Sequence, residues 1–155
     1  MSQPKIRSQA FSAETSFLRI RPRRPPGGKI LILEQASLPT CTTADCLRSQ
    51  GFRTERVNGL AEVMKHARIL MPAVVIIDLD MPAVGTDHAI RVIRLLHPTV
   101  PLLALSSTLE RRTSELASEF KLPLLGTPCT QAALLSALEA LGVCPAFNSA
   151  AHAAD

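Results

Sequence analysis

Ala73-Val74-Val75-Ile76-Ile77 is an unbroken apolar run that stops at Asp78-Leu79-Asp80-Met81-Pro82. A short apolar run without alternation suits a strand covered on both faces, as in a parallel sheet. Two other runs have the same form. Ile30-Leu31-Ile32-Leu33 stops at Glu34-Gln35, and Val100–Leu105 stops at Ser106-Ser107. Arg53–Val57 is shorter and more polar, as expected at or near a sheet edge. Leu122–Leu125 is a fifth run, interrupted by Pro123 and ending at Gly126-Thr127-Pro128.

Helical patterns fill the intervals. Ser37 is the predicted N-cap of the first helix, with Pro39 in its first turn and Gly51 as its stop. Leu60–Leu70 is amphipathic, with Leu60, Val63, Met64 and Ala67 on one side. The third helix carries Ile90, Val92, Ile93 and Leu96 as its apolar residues. Thr108–Phe120 reads as a charged helix with few inward residues. Thr130 is the predicted cap of a last helix striped by Leu134, Leu135, Leu138 and Leu141. Strands alternating with helices predict an α/β fold, a five-stranded parallel sheet with helices on both faces and right-handed crossovers. The functional crevice of such a sheet lies at the carboxyl ends of its strands. That places Glu34, Gln35, Asp78, Ser106 and Thr127 together.

Length and charge bound the function. The chain has 155 residues, an apolar fraction of 46% and a net charge of +4, enough for one domain with a real core. Residues 1–29 hold seven basic groups and one acid, whereas residues 30–155 hold ten basic and twelve acidic groups. The basicity therefore belongs to an N-terminal arm, and the rest is mildly acidic. Residues 1–28 are Pro- and Arg-rich and read as a flexible arm. A basic contact to nucleic acid or acidic lipid and an organelle transit peptide are the other readings of that arm. Residues 29–142 form the expected domain, and 143–155 an Ala-rich disordered tail. No apolar run reaches membrane-spanning length. With no Trp or Tyr, base-stacking recognition of nucleic acid by the domain is not expected. Cys41, Cys46, Cys129 and Cys144 form no CxxC pair and read as reduced thiols of a cytosolic protein. His66, His88, His97 and His152 read as surface residues.

Taken together, these residues resemble the receiver domain of bacterial two-component response regulators, the CheY-like, flavodoxin-like (βα)5 family. Ile76-Ile77-Asp78-Leu79-Asp80-Met81-Pro82 is similar to the family's third strand, phospho-accepting aspartate and Met-Pro. Lys29–Leu33 resembles the first strand, and Leu102–Ser107 the fourth, which ends in the Ser/Thr switch residue. Glu34 precedes Asp78 by 44 positions, and Asp78 precedes Ser106 by 28, as in the family.

The resemblance implies roles and also departures from them. Asp78 stands at the phospho-acceptor position. Glu34, Gln35, Asp78 and the Asp80 carbonyl stand where the family holds Mg²⁺. Gln35 brings no charge to a strongly hydrated cation, so a weakened magnesium site is expected. Thr127, before Pro128, replaces the family's phosphoryl-pairing Lys and carries no positive charge. Leu124 replaces the aromatic switch residue, leaving Ser106 as the remaining switch position.

The expected function is an atypical receiver acting as a signalling protein-interaction module rather than an enzyme, with phosphorylation at Asp78 weak or dispensable. Its partner, a histidine kinase or downstream effector, or a second copy in a homodimer, would contact roughly Thr108 to Leu141. The alternative is a regulator that accepts a phosphoryl group at Asp78 with Mg²⁺. A flavodoxin-like small-molecule binder is more remote, because no Gly-rich phosphate loop follows the first strand. A bacterial, cytoplasmic setting is expected from the resemblance.

Overall fold

The computed structural model describes residues 28–34, 42–69, 71–81, 85–108 and 110–145. Gln35, Ser37, Pro39, Cys41, Pro82 and His152 lie outside them, as does most of the expected arm and tail.

Five strands and five helices alternate along the chain. They are β1 (Ile30–Leu33), α1 (Thr43–Ser49), β2 (Thr54–Val57), α2 (Leu60–Ile69), β3 (Val74–Asp78), α3 (Thr86–Leu96), β4 (Leu102–Ser106), α4 (Arg111–Glu119), β5 (Leu124–Gly126) and α5 (Gln131–Ala140). The strands form one all-parallel sheet in the order β2-β1-β3-β4-β5. The predicted α/β architecture is the observed one.

Strand alternation divides the core into two layers. Leu31, Leu33, Val75, Ile77, Leu102 and Ala104 pack with Val63 of α2, Ile90 and Ile93 of α3, and Ala117 of α4. Ile30, Ile32, Val74, Ile76, Leu103 and Leu105 pack with Ala44 and Leu47 of α1 and Leu134 and Leu138 of α5. Every residue of β1 is buried, which is why its sequence shows no polar alternation. β2 and β5 have one neighbour each, and their residues are accordingly less buried.

Local chemistry sets the helix ends. Thr130 caps α5, its hydroxyl accepting from the Ala133 N–H at 3.1 Å. The first helix differs from expectation. Its N-cap is Thr42 rather than Ser37, and Thr42 forms a reciprocal capping box with Asp45. The Asp45 N–H donates to Thr42 Oγ1 at 3.2 Å, and the Thr42 N–H donates to Asp45 Oδ2 at 3.3 Å. Such reciprocity satisfies two backbone donors that the helix itself leaves open.

Two further expectations change. His97 is buried, not exposed. Its ring Nε2 meets the carbonyl oxygen of Ala67, so it ties the end of α3 to the last turns of α2. A polar ring is tolerated there because that carbonyl needs a partner near a helix end. Val143, expected to open the tail, packs instead with the α1–α5 layer.

Candidate functional site

The carboxyl ends of β1, β3, β4 and β5 bring Glu34, Asp78, Asp80, Ser106 and Thr127 to one edge of the sheet. This follows from the parallel register, which pairs Leu33 with Ile77, Asp78 with Leu105, and Ser106 with Gly126. The Leu79 N–H donates to the Leu105 carbonyl at 2.8 Å, and the Thr127 N–H donates to the Ser106 carbonyl at 2.8 Å. The peptide between Thr127 and Pro128 is cis.

Asp78 is half-buried at the end of β3. Burial pushes its carboxyl above the usual aspartate range, and the adjacent Asp80 charge adds to that rise. The Asp80 N–H opposes it by donating to Asp78 Oδ1 at 2.9 Å.

Asp80 itself faces β4. Its Oδ1 lies 2.6 Å from Ser106 Oγ and 3.4 Å from Thr108 Oγ1. Its Oδ2 accepts from the Ser107 hydroxyl at 2.6 Å and from the Ser107 N–H. Burial alone would raise the Asp80 carboxyl, but the hydrogen bonds from Ser106, Ser107 and Thr108 outweigh it and hold the group below its usual range. Ser106 Oγ also lies 2.6 Å from the Thr108 carbonyl. A hydroxyl has one proton, and a carboxylate is the stronger acceptor for it. The sequence reading gave Ser107, Thr108 and the Asp80 side chain no role in the site. The visible signal was a run of three hydroxyl residues, Ser106-Ser107-Thr108, directly after a buried strand.

Glu34 is the other buried acid of this edge. Burial is the main influence on its carboxyl and raises it. Hydrogen bonds from Thr43 and Ala44 at the start of α1, and the positive charge of Arg56, work in the opposite direction. Arg56 reaches it from β2, with one guanidinium nitrogen 3.9 Å from Glu34 Oε1. That oxygen is buried and accepts no hydrogen bond. Arg56 is a further residue the sequence reading missed, because it lies 22 positions away on a neighbouring strand.

The resemblance implies magnesium at this edge. Magnesium demands a near-octahedral shell of oxygens and gives up its waters reluctantly. Among the described donors, Glu34 is engaged by the start of α1 and by Arg56, while its buried Oε1 accepts no hydrogen bond. The Asp80 carboxylate is taken by three hydroxyl residues, so Glu34, Asp78 and the Asp80 carbonyl are the oxygens that would hold the ion. Among the described residues no group of three or more His, Cys, Asp or Glu converges as metal ligands would. Leu124, expected at the aromatic switch position, is a partly exposed aliphatic residue on the short edge strand β5. Thr127 contributes its backbone N–H to Ser106, as described above.

No protein-family model matches this sequence, and neither does any curated protein. Solved structures do share its architecture. The chemotaxis protein CheY4 of Vibrio cholerae is 18% identical, with 74% of this chain and 98% of that one covered at a TM-score of 0.65. The receiver domain of the sensor histidine kinase PA1611 from Pseudomonas aeruginosa, whose active-site cleft coordinates a magnesium ion, is 22% identical. There 75% of this chain and 98% of that one are covered, at a TM-score of 0.66. The signal receiver domain of a histidine kinase from Syntrophus aciditrophicus is 23% identical over 75% of this chain and 90% of its own, at a TM-score of 0.65. The chain has the receiver fold.

Proposed function

We propose that this chain is an atypical receiver in two-component signalling, acting through protein contact, with phosphorylation of Asp78 weak or dispensable. One observation carries this reading. The charge beside Asp78 is the negative Asp80 carboxylate, where a phosphoryl acceptor needs positive charge. Thr127 supplies a backbone N–H to Ser106 but no cation, and the positive charge near Glu34 belongs to Arg56. A phosphoryl group on Asp78 would replace its single negative charge with about two, next to the Asp80 carboxylate.

The contact surface would run from the start of α4 through α5, within Thr108 to Leu141. The outer face of α4 is charged, with Arg111 and Glu115 paired at 2.7 Å and Glu119 bonded to Arg91 of α3 at 2.9 Å. Paired charges of this kind suit a reversible, polar interface with a signalling partner or a second copy. No helix among the described residues is long and apolar enough to cross a membrane.

Titration with beryllofluoride and millimolar Mg²⁺, followed by backbone amide NMR, tests the reading. The expected result is no perturbation of the amides around Asp78. A perturbation that Asp78→Asn abolishes would overturn it in favour of a phospho-accepting regulator.

A further inference from the structure

The donors at the end of β4 already hold an anion, and it comes from the chain itself. Three consecutive residues, Ser106, Ser107 and Thr108, direct three hydroxyls and one backbone N–H at the two oxygens of Asp80. An ionised carboxylate has about four lone-pair sites, so this set saturates it. Ser106 is buried, and its carbonyl is held by the Thr127 N–H of the β5 end. Asp80 also touches the acceptor position directly, through its N–H to Asp78 Oδ1 at 2.9 Å. One residue thus bridges the ends of β3 and β4.

We propose that the Asp80 carboxylate is a built-in anionic ligand that clasps the Ser106–Thr108 segment against β3, holding the switch position engaged without a phosphoryl group. The proposal rests on the receiver-like reading of this edge and adds its regulation. A phosphoryl oxygen on Asp78 would find the Ser106 hydroxyl taken, and would meet a like charge where the hydroxyls now point. Hydrogen bonds to an ionised carboxylate exceed those between neutral groups in strength. The conformation of Ser106–Thr108 then depends on Asp80 and not on the state of Asp78.

Amide hydrogen exchange at Ser107 in the full chain tests this, with Asp80→Ala and Asp80→Asn as variants. Losing a hydrogen bond to a charged group should speed exchange at Ser107 about tenfold or more in Asp80→Ala. Asp80→Asn keeps one acceptor oxygen and should fall between. The amides of Ile30–Leu33 in β1 should keep wild-type rates, which separates a local release from a general loss of fold. Should Asp80→Ala fail to fold, the Asp80→Asn comparison decides alone. Ser107 exchange within twofold of wild type in the folded variants would overturn the clasp. This readout needs no phosphoryl mimic, so a beryllofluoride response at Asp78 would overturn the phosphorylation-independent reading while the exchange ratio still judges the clasp.

Discussion

The Arg56 guanidinium of β2 lies 3.9 Å from the buried Glu34 Oε1 at the end of β1, an oxygen that accepts no hydrogen bond. The two residues sit on neighbouring parallel strands, where the register sets Ile32 beside Arg56. Arg56 also lowers the Asp45 carboxyl of α1, so one cation serves two acids. The positive charge that the described residues bring to the first-strand acid is that of Arg56.

Removing that arginine should expose the cost of a buried carboxylate. Arg56→Leu is expected to destabilise the fold by about 1–2 kcal/mol, less than for a fully buried pair because Arg56 is one-third exposed. Glu34→Gln should suppress much of that loss, since an amide buries more cheaply than an unpaired charge. Urea denaturation of the four chains in the cycle measures the coupling. Equal cost of Arg56→Leu in both backgrounds would show that the pair does not interact.

The capping box predicts a specific acid sensitivity. The Asp45 carboxyl is held below the usual aspartate value of 3.8, chiefly by hydrogen bonds from Thr42. A depressed folded-state value means stabilisation that is present above the unfolded value and is lost as pH falls through the folded one. The stability gap between wild type and Asp45→Ala should therefore be flat from neutral pH down to about pH 5, and close progressively below pH 3.8. Thr42→Ala, which removes the hydroxyl side of the box, should cost about 1 kcal/mol at neutral pH. Urea midpoints collected across the acid range check both. A gap independent of pH would mean that the carboxylate charge plays no part.

Gly28 marks a close approach between two chain segments. A side-chain carbon built there would meet the Ala73 Cβ at 2.7 Å, well inside contact distance. The strands are drawn together at that point by the Ala73 N–H donating to the Lys29 carbonyl at 2.8 Å. Gly28→Val should cost about 1–3 kcal/mol through overpacking. Adding Ala73→Gly should recover part of it, so the double variant should be less destabilised than the two single losses together. Additive losses would show that the two positions do not press on one another.

Much of this molecule is legible locally. Ile30–Leu33 and Val74–Ile77 show their burial by their unbroken apolar character, because a strand covered on both faces has no polar side to display. The order of apolar run, polar end and helix places Asp78, Ser106 and Thr127 at one edge of a parallel sheet, and the structure agrees. The cap of α1 was less legible. Ser37 and Thr42 are both good N-cap residues, and the distinction lies in the reciprocal partner that Asp45 offers to Thr42.

What the sequence alone determined is the α/β architecture and the edge on which the acids and hydroxyls gather, since both follow from short-range periodicity and from strands ending in polar residues. Tertiary structure decided which of those groups meet. Arg56 reaches Glu34 through a strand register across 22 positions, and Asp80 turns to Ser106 across 26. His97 is buried because a carbonyl 30 positions earlier needs a partner. Such pairings depend on how separate elements pack, and no local pattern of residues encodes them.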